Sequence, residues 1–341
     1  QQAAYDALGK LNGAVVAIDP KTGRILALVS KPSFNANLLA SHVSSKAQSW
    51  YKRLLGAEGN PLLNKATSEL YAPGSVFKLV VASAAIQSGN YTAESLIPNP
   101  KRFKLPGTST YVYNSGEGKC GGKEKVSIAD ALRFSCNVPF AQLGIELGQD
   151  RISQQAALFG FGQSIEIPLE VEASVYPKNM DDAQTGLSAF GQFDDRVSVV
   201  QMAMVSSAIA NQGVLMQPNL IENVQSSTLS ILSQPKPRVM AQPISSATAN
   251  IMKEMMVNAV STGVSGNAKI EGVRVAGKTG TAQNGEGEPY TLWFTGFAPA
   301  DDPQVAVAVV IADGGGMGQR GFGNLLAAPV AKKVMEAVLG K

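Results

Sequence analysis

Apolar residues recur along this chain with two different periods, and the change of period predicts how it is organised. The runs at 14–18 and 24–30 are short, apolar and separated by Asp19-Pro20-Lys21-Thr22-Gly23, which predicts a β-hairpin closed by residues that turns favour. Three further strand-like runs stand near the other end, at 273–283, 290–298 and 305–312, joined by polar or glycine-bearing connections. In the middle the spacing changes to three and four. There 76–88, 127–147, 151–159, 197–212 and 247–261 predict helices, and 325–339 adds a closing one. The polar stretches 95–122 and 224–243 predict loops. The expected fold is α/β in the α+β sense: a five-stranded antiparallel sheet flanked by helices, drawn from residues 1–60 and 265–341, beside a mostly helical part at 61–264.

With 341 residues, 45% of them hydrophobic and 16% charged, the chain can build a sizeable core, and we expect one large domain over 1–341. A net charge of +3 is scattered rather than gathered into a basic, aromatic-laced stripe, which argues against nucleic acid as a partner. No run approaches the ~20 apolar residues of a membrane span, and residues 1–8 lack the pattern of a secretion signal. Cys120 and Cys136 are either free thiols or one bridge; in an oxidising compartment a bridge closing a loop of this size is worth ~3 kcal/mol. No metal-site spacing is present, so neither metal nor cofactor is expected. The acidic pairs Asp181-Asp182, Asp194-Asp195 and Asp301-Asp302 read as turns and helix caps. Gly316-x-Gly318-x-x-Gly321 imitates a dinucleotide fingerprint, but too little chain follows it for a βαβ unit, so it reads as a loop.

Three short motifs carry the candidate chemistry: Ser75-Val76-Phe77-Lys78, Ser135-Cys136-Asn137 and Lys278-Thr279-Gly280-Thr281. Each recurs elsewhere, so context must choose. Ser75 follows Pro73-Gly74 and opens an apolar helix on which Lys78 lies one turn further along, the only charge between Val76 and Ile86. Burying that ammonium would lower its pKa towards neutrality, where it could take a proton from a serine hydroxyl. Taken alone, Ser75 could equally be a cap with Lys78 snorkelling to the surface. The copy Ser49 to Lys52 encloses Trp50 and Tyr51 on a solvated face, and Ser233 to Lys236 contains Pro235, which breaks the turn. Ser135-Cys136-Asn137 precedes Pro139 inside an apolar stretch, where a break between helices can present polar groups inward. Other Ser-x-Asn copies, at Ser33, Ser88 and Ser265, read as turns. Lys278 to Thr281 lies in a strand, whereas Lys21-Thr22-Gly23 fills a turn. Gly277 and Gly280 would let a substrate backbone lie against that strand. Only one histidine, His42, exists, and it reads as a surface residue; the arrangement needs none.

In this order the motifs resemble those of the penicillin-binding protein and serine β-lactamase superfamily. The segments 13–28, 71–78, 201–213 and 277–299 narrow the resemblance to the transpeptidase domain of class B penicillin-binding proteins, over nearly the whole chain. The resemblance implies that Ser75 is the acylated nucleophile and Lys78 its base. Ser135 would relay the proton and Asn137 would hold the substrate amide. Lys278, with Thr279, Gly280 and Thr281, would bind the carboxylate of a D-alanyl-D-alanine stem peptide or a β-lactam. The oxyanion would lie between the backbone N–H groups of Ser75 and Thr281. The implied partners are donor and amine-acceptor stem peptides, β-lactam antibiotics and the cell-wall synthesis machinery. The implied location is the outer face of the bacterial cytoplasmic membrane, with an anchor and a further domain preceding this sequence. Thr291-Leu292 departs from the His-Ala pair that many relatives carry before Trp293-Phe294. Two rivals share the acylation step. A serine β-lactamase would need a deacylating base, for which Glu166 is the sequence candidate, and a β-lactam sensor would stay acylated.

Overall fold

The computed structural model describes residues 1–341. Five strands form one sheet: β1 (Gly13–Ile18), β2 (Ile25–Lys31), β3 (Ala276–Ala282), β4 (Thr291–Ala298) and β5 (Val305–Ile311). Their order is β3-β4-β5-β1-β2 and every pair is antiparallel, as the pattern predicted. Residues of β1, β4 and β5 are buried throughout. Their unbroken apolar runs follow from cover on both faces. Val16, Ala308 and Val310 enter one apolar cluster, whereas Val15, Val309 and Ile311 enter the other, the two-residue alternation of a strand.

One face is covered by α1 (Gln2–Leu8) and the closing helix α7 (Gly323–Leu339), the other by α5 (Val199–Ala210). The helix α2 (Lys78–Gln87) has its first nine residues buried, so it is a core helix with no solvent stripe. The helix α6 (Ser246–Ser261) packs against both α2 and β3. Across the sheet face, Ser206 Oγ of α5 meets Thr295 Oγ1 of β4 at 2.6 Å, a buried polar tie within apolar surroundings.

Some expected elements differ. The 127–147 stretch is two helices, α3 (Ile128–Arg133) and α4 (Asn137–Leu147), broken at Ser135, whose φ is 59°. The β3 run begins three residues later than expected, because Ile270 bridges Val273 outside the main sheet. Stretch 95–122 contributes the strands Leu96–Pro98, Arg102–Lys104 and Tyr111–Tyr113, and 224–243 contains Val224–Gln225, Ile231–Ser233 and Val239–Ala241. Strands of two or three residues are too short to show a period. The helix Ser44–Leu55 was also missed, since it buries only Leu54. The Gly316-x-Gly318-x-x-Gly321 segment forms two single 3₁₀ turns before α7.

Gly277 and Gly296 stand opposite one another across β3 and β4. A Cβ on Gly296 would sit 2.3 Å from Ala276 O and 2.8 Å from Gly277 Cα. Gly296→Ala should therefore lower the free energy of unfolding by about 1–3 kcal/mol in urea titration, as overpacking does.

Candidate active site

The three motifs converge. Gly74–Val76 form one 3₁₀ turn that runs into α2, so Ser75 stands just before the helix and Lys78 opens it. The turn is gripped from two sides. Gly74 N–H donates to Gly191 O at 3.0 Å, and a Cβ on Gly191 (φ 76°) would lie 2.2 Å from Gly74 O. On the other side a Cβ on Gly74 would reach Thr281 O at 2.8 Å, and one on Gly280 would reach Pro73 O at 3.0 Å. The contacts at Gly74 and Gly191 require glycine, the one at Gly280 is tight, and together they bring β3 against the serine turn. Trp293 Nε1–H donates to Ala72 O at 2.9 Å, fixing the approach to the turn from β4.

Lys78 and Lys278 are both 0% exposed. Lys78 Nζ lies 2.8 Å from Ser135 O, 2.8 Å from Asn137 Oδ1 and 3.0 Å from Ser75 Oγ. Burial, with the Lys278 ammonium nearby, holds the Lys78 pKa well below its usual value. An uncharged amine has two hydrogens and one lone pair. The two oxygens at 2.8 Å, a peptide carbonyl and an amide carbonyl, can only accept, so they take both hydrogens. In the uncharged form the lone pair is left for the Ser75 O–H.

Lys278 Nζ donates to Ser135 Oγ at 2.7 Å and to Thr279 O at 2.8 Å, which leaves the third hydrogen of its ammonium free. Burial lowers its pKa to about 7. Ser135 Oγ also lies 3.5 Å from Lys78 Nζ, which places this hydroxyl between the two amines. No hydrogen bond of Ser75, Lys78, Ser135 or Lys278 goes to a carboxylate. With no counter-charge, burial works against charging either amine, and the Lys278 charge beside Lys78 adds to the effect there.

Asn137 Nδ2–H donates to Tyr113 O at 3.2 Å, so its amide bridges Lys78 and the Tyr111–Tyr113 strand. Thr279 is occupied too: Ser265 Oγ lies 3.2 Å from its hydroxyl and 3.1 Å from its N–H. Thr281 Oγ1 accepts from Gly323 N–H at 3.3 Å, so its own hydrogen remains available to an anion. Thr279 N–H and Gln283 N–H both point away from β4, the latter to Gln192 Oε1 at 3.3 Å. By strand alternation Thr281 N–H points the same way, towards the serine turn.

Sequence reasoning left one support open and missed several others. Cys120 and Cys136 are bridged, with Cα atoms 5.6 Å apart, so the residue between Ser135 and Asn137 is tied to the 95–122 segment. Asn114 Oδ1 accepts the N–H groups of both Asn137 and Val138, capping α4 from a distance, and Asn114 Nδ2 reaches Asn99 Oδ1 at 3.2 Å. Ser265, read as a turn residue, is fully buried against Thr279. Asp195, read as a turn or cap, is a buried carboxyl. The other readings agree: Asp181 caps a helix with Gln184, Asp301 pairs with Arg274 at the surface, and His42 is exposed. The sequence signal for Asn114 and Ser265 was nil, since single polar residues in irregular chain carry no period.

Comparison with known proteins settles the lineage. A family profile for the penicillin binding protein transpeptidase domain matches residues 13–336. The chain belongs to this family. It is 39% identical over 349 residues to a protein of Mycolicibacterium smegmatis named peptidoglycan D,D-transpeptidase PbpA, covering 99% of this chain and 70% of that one. It superposes on penicillin-binding protein A of Mycobacterium tuberculosis, solved as a ceftriaxone acyl-enzyme complex, with TM-score 0.96 and 36% identity, over 99% of this chain and 77% of that one. A D,D-transpeptidase domain from Eggerthella lenta gives 0.87 at 32% identity, covering 99% and 81%. The fold class and the class B resemblance read from the sequence are borne out.

Two outcomes follow from the geometry. The Lys278 charge disappears as pH rises through about 7, so affinity for an anionic β-lactam should fall on the alkaline side, and Lys278→Ala should flatten that dependence; initial binding constants from stopped-flow acylation at pH 6 to 9 check this. Replacing both cysteines by serine should lower unfolding stability by about 3 kcal/mol, read by denaturant titration.

Proposed function

We propose that this chain is a peptidoglycan D,D-transpeptidase that cross-links stem peptides through an acyl-enzyme on Ser75 and is itself acylated by β-lactams. The observation that carries the reading is the fully buried Lys78 amine, which meets Ser135 O and Asn137 Oδ1 at 2.8 Å and Ser75 Oγ at 3.0 Å and whose pKa burial holds well below its usual value. Ser75 Oγ attacks the carbonyl of the penultimate D-alanine while its proton passes to Lys78. The N–H groups of Ser75 and Thr281 receive the developing oxyanion, and each such donor is typically worth about 10² to 10³ in rate. Collapse expels D-alanine, its nitrogen taking a proton relayed through Ser135 Oγ. An acceptor amine then attacks the ester, returns its proton to the base and restores Ser75. The free ammonium hydrogen of Lys278 and the Thr281 hydroxyl hold the substrate carboxylate. Asn137 exchanges its hold on Lys78 for the substrate amide, and Thr279 and Gly280 line the strand. A β-lactam follows the first half, but its leaving nitrogen stays tethered, so the ester persists.

We assign one transpeptidase domain to residues 1–341, and a place outside the cytoplasm, at the outer face of the membrane, working beside the cell-wall machinery. No helix is long and apolar enough to cross a membrane. The β-lactamase reading loses its base: Glu166 pairs with Arg238 at 2.8 Å with its side chain 74% exposed.

Incubation with a fluorescent penicillin should give a label that survives denaturation and is absent in Ser75→Ala. Lys78→Ala should fold normally yet lose labelling by at least about 10²-fold, the scale of a lost general base. Release of label within seconds would instead indicate a β-lactamase. Transfer from a D-alanyl-D-alanine thioester to an added amine separates a transpeptidase from a sensor.

A further inference from the structure

Asp195 and Ser188 are both 0% exposed, and Ser188 Oγ–H donates to Asp195 Oδ1 at 2.7 Å. The mechanism uses neither residue. Between them in sequence lie Phe190, whose ring is 6.0 Å from Lys78 Nζ, and Gly191, whose carbonyl receives the Gly74 N–H. The hydrogen bond thus closes the base of a loop whose tip touches the serine turn. Immediately after Asp195 the chain is pinned: Arg196 exchanges backbone hydrogen bonds with Val175, and Val197 with Tyr71. One side of the loop is therefore anchored to chain leading into Ser75; the other is the end of the helix Asp182–Ser188, tied to the loop tip by Gly191 N–H to Ser188 O at 2.8 Å and Gln192 N–H to Leu187 O at 3.1 Å, and the Ser188 clasp joins the two sides through a side chain.

We propose that Asp195 is a positioning residue for acylation: by clasping Ser188 it closes the loop that holds Gly191 on Gly74 and so fixes the turn presenting Ser75. The inference rests on the functional reading above. A backbone approach that leaves no room for a Cβ has little slack, so loosening the loop displaces the oxyanion N–H of Ser75 together with its hydroxyl. Reactant misplacement by about 1 Å can cost about 10²-fold.

The groups facing Asp195 bear this out. Arg196 and Asp194 flank it on the same loop, and Tyr176 approaches from the neighbouring segment with Asp150 beyond. Tyr176 stacks on Phe77, inside the Ser75–Lys78 motif, at 5.6 Å between centroids. Asp195 Oδ2 has no partner, so an ionised carboxylate would leave an uncompensated charge at the loop base. Burial pushes this carboxyl up to about 8, which keeps it neutral in the working range. An asparagine there keeps the accepting oxygen and cannot ionise.

The test follows acylation by a chromogenic β-lactam, separating the acylation rate constant k2 from the preceding binding constant. Asp195→Ala should lower k2 by about 10- to 100-fold with binding unchanged within about threefold. Asp195→Asn should retain wild-type k2 near neutrality and outperform the wild type above pH 8. If Asp195→Ala does not fold, Ser188→Ala carries the same expectation for k2. Wild-type k2 in a folded Asp195→Ala or Ser188→Ala overturns the proposal, as does a loss confined to the titratable fraction of active protein, or one that Asp195→Asn shares fully. A wild-type chain that takes no label overturns the functional reading instead.

Discussion

Everything at the centre of this molecule depends on an amine buried without a counter-charge. Lys78 is wholly enclosed on a core helix, a second lysine stands close by, and no acid compensates either. In water such an amine carries a proton almost permanently. Here the cost of desolvating two like charges lowers both pKa values, and the shorter hydrogen bonds fix which atoms the Lys78 nitrogen addresses. On the proposed reading, this is what supplies a base for the Ser75 hydroxyl without histidine.

That arrangement is sustained by backbone more than by side chains. Glycines at 74 and 191 let remote segments approach closer than any other residue permits, Gly280 adds a tight contact, and the left-handed Ser135 turns its own carbonyl towards Lys78. Around this frame a second ring of polar side chains removes freedom: Asn114 under Asn137, Ser265 under Thr279, the disulfide beside Ser135 and the clasp at Asp195. The reactive groups are few because the rigid parts beneath them are many.

The sequence disclosed the periodic parts and the chemistry that depends on them. Five strands and the long helices have apolar repeats of two or of three and four, and Lys78 betrayed itself as the one charge on an apolar helix. What stayed hidden has no period. The two- and three-residue strands, the polar helix Ser44–Leu55 and the buried Asp195 are decided by contacts between segments far apart in the chain, and such contacts leave no local trace. The pairing of Cys120 with Cys136 was open for the same reason, since spacing alone does not fold the intervening turn.

The outer side of β3 ends a sheet, and an unpaired strand of this kind normally invites association with any other extended chain. Here Ser265 covers the Thr279 N–H, Lys278 covers the Thr279 carbonyl and Gln192 covers the Gln283 N–H. The gap between these side-chain gatekeepers is a single residue wide, at Thr281. A full strand from a neighbouring molecule finds the positions on either side of Thr281 already taken, so this border resists edge-to-edge aggregation while leaving one residue's backbone open.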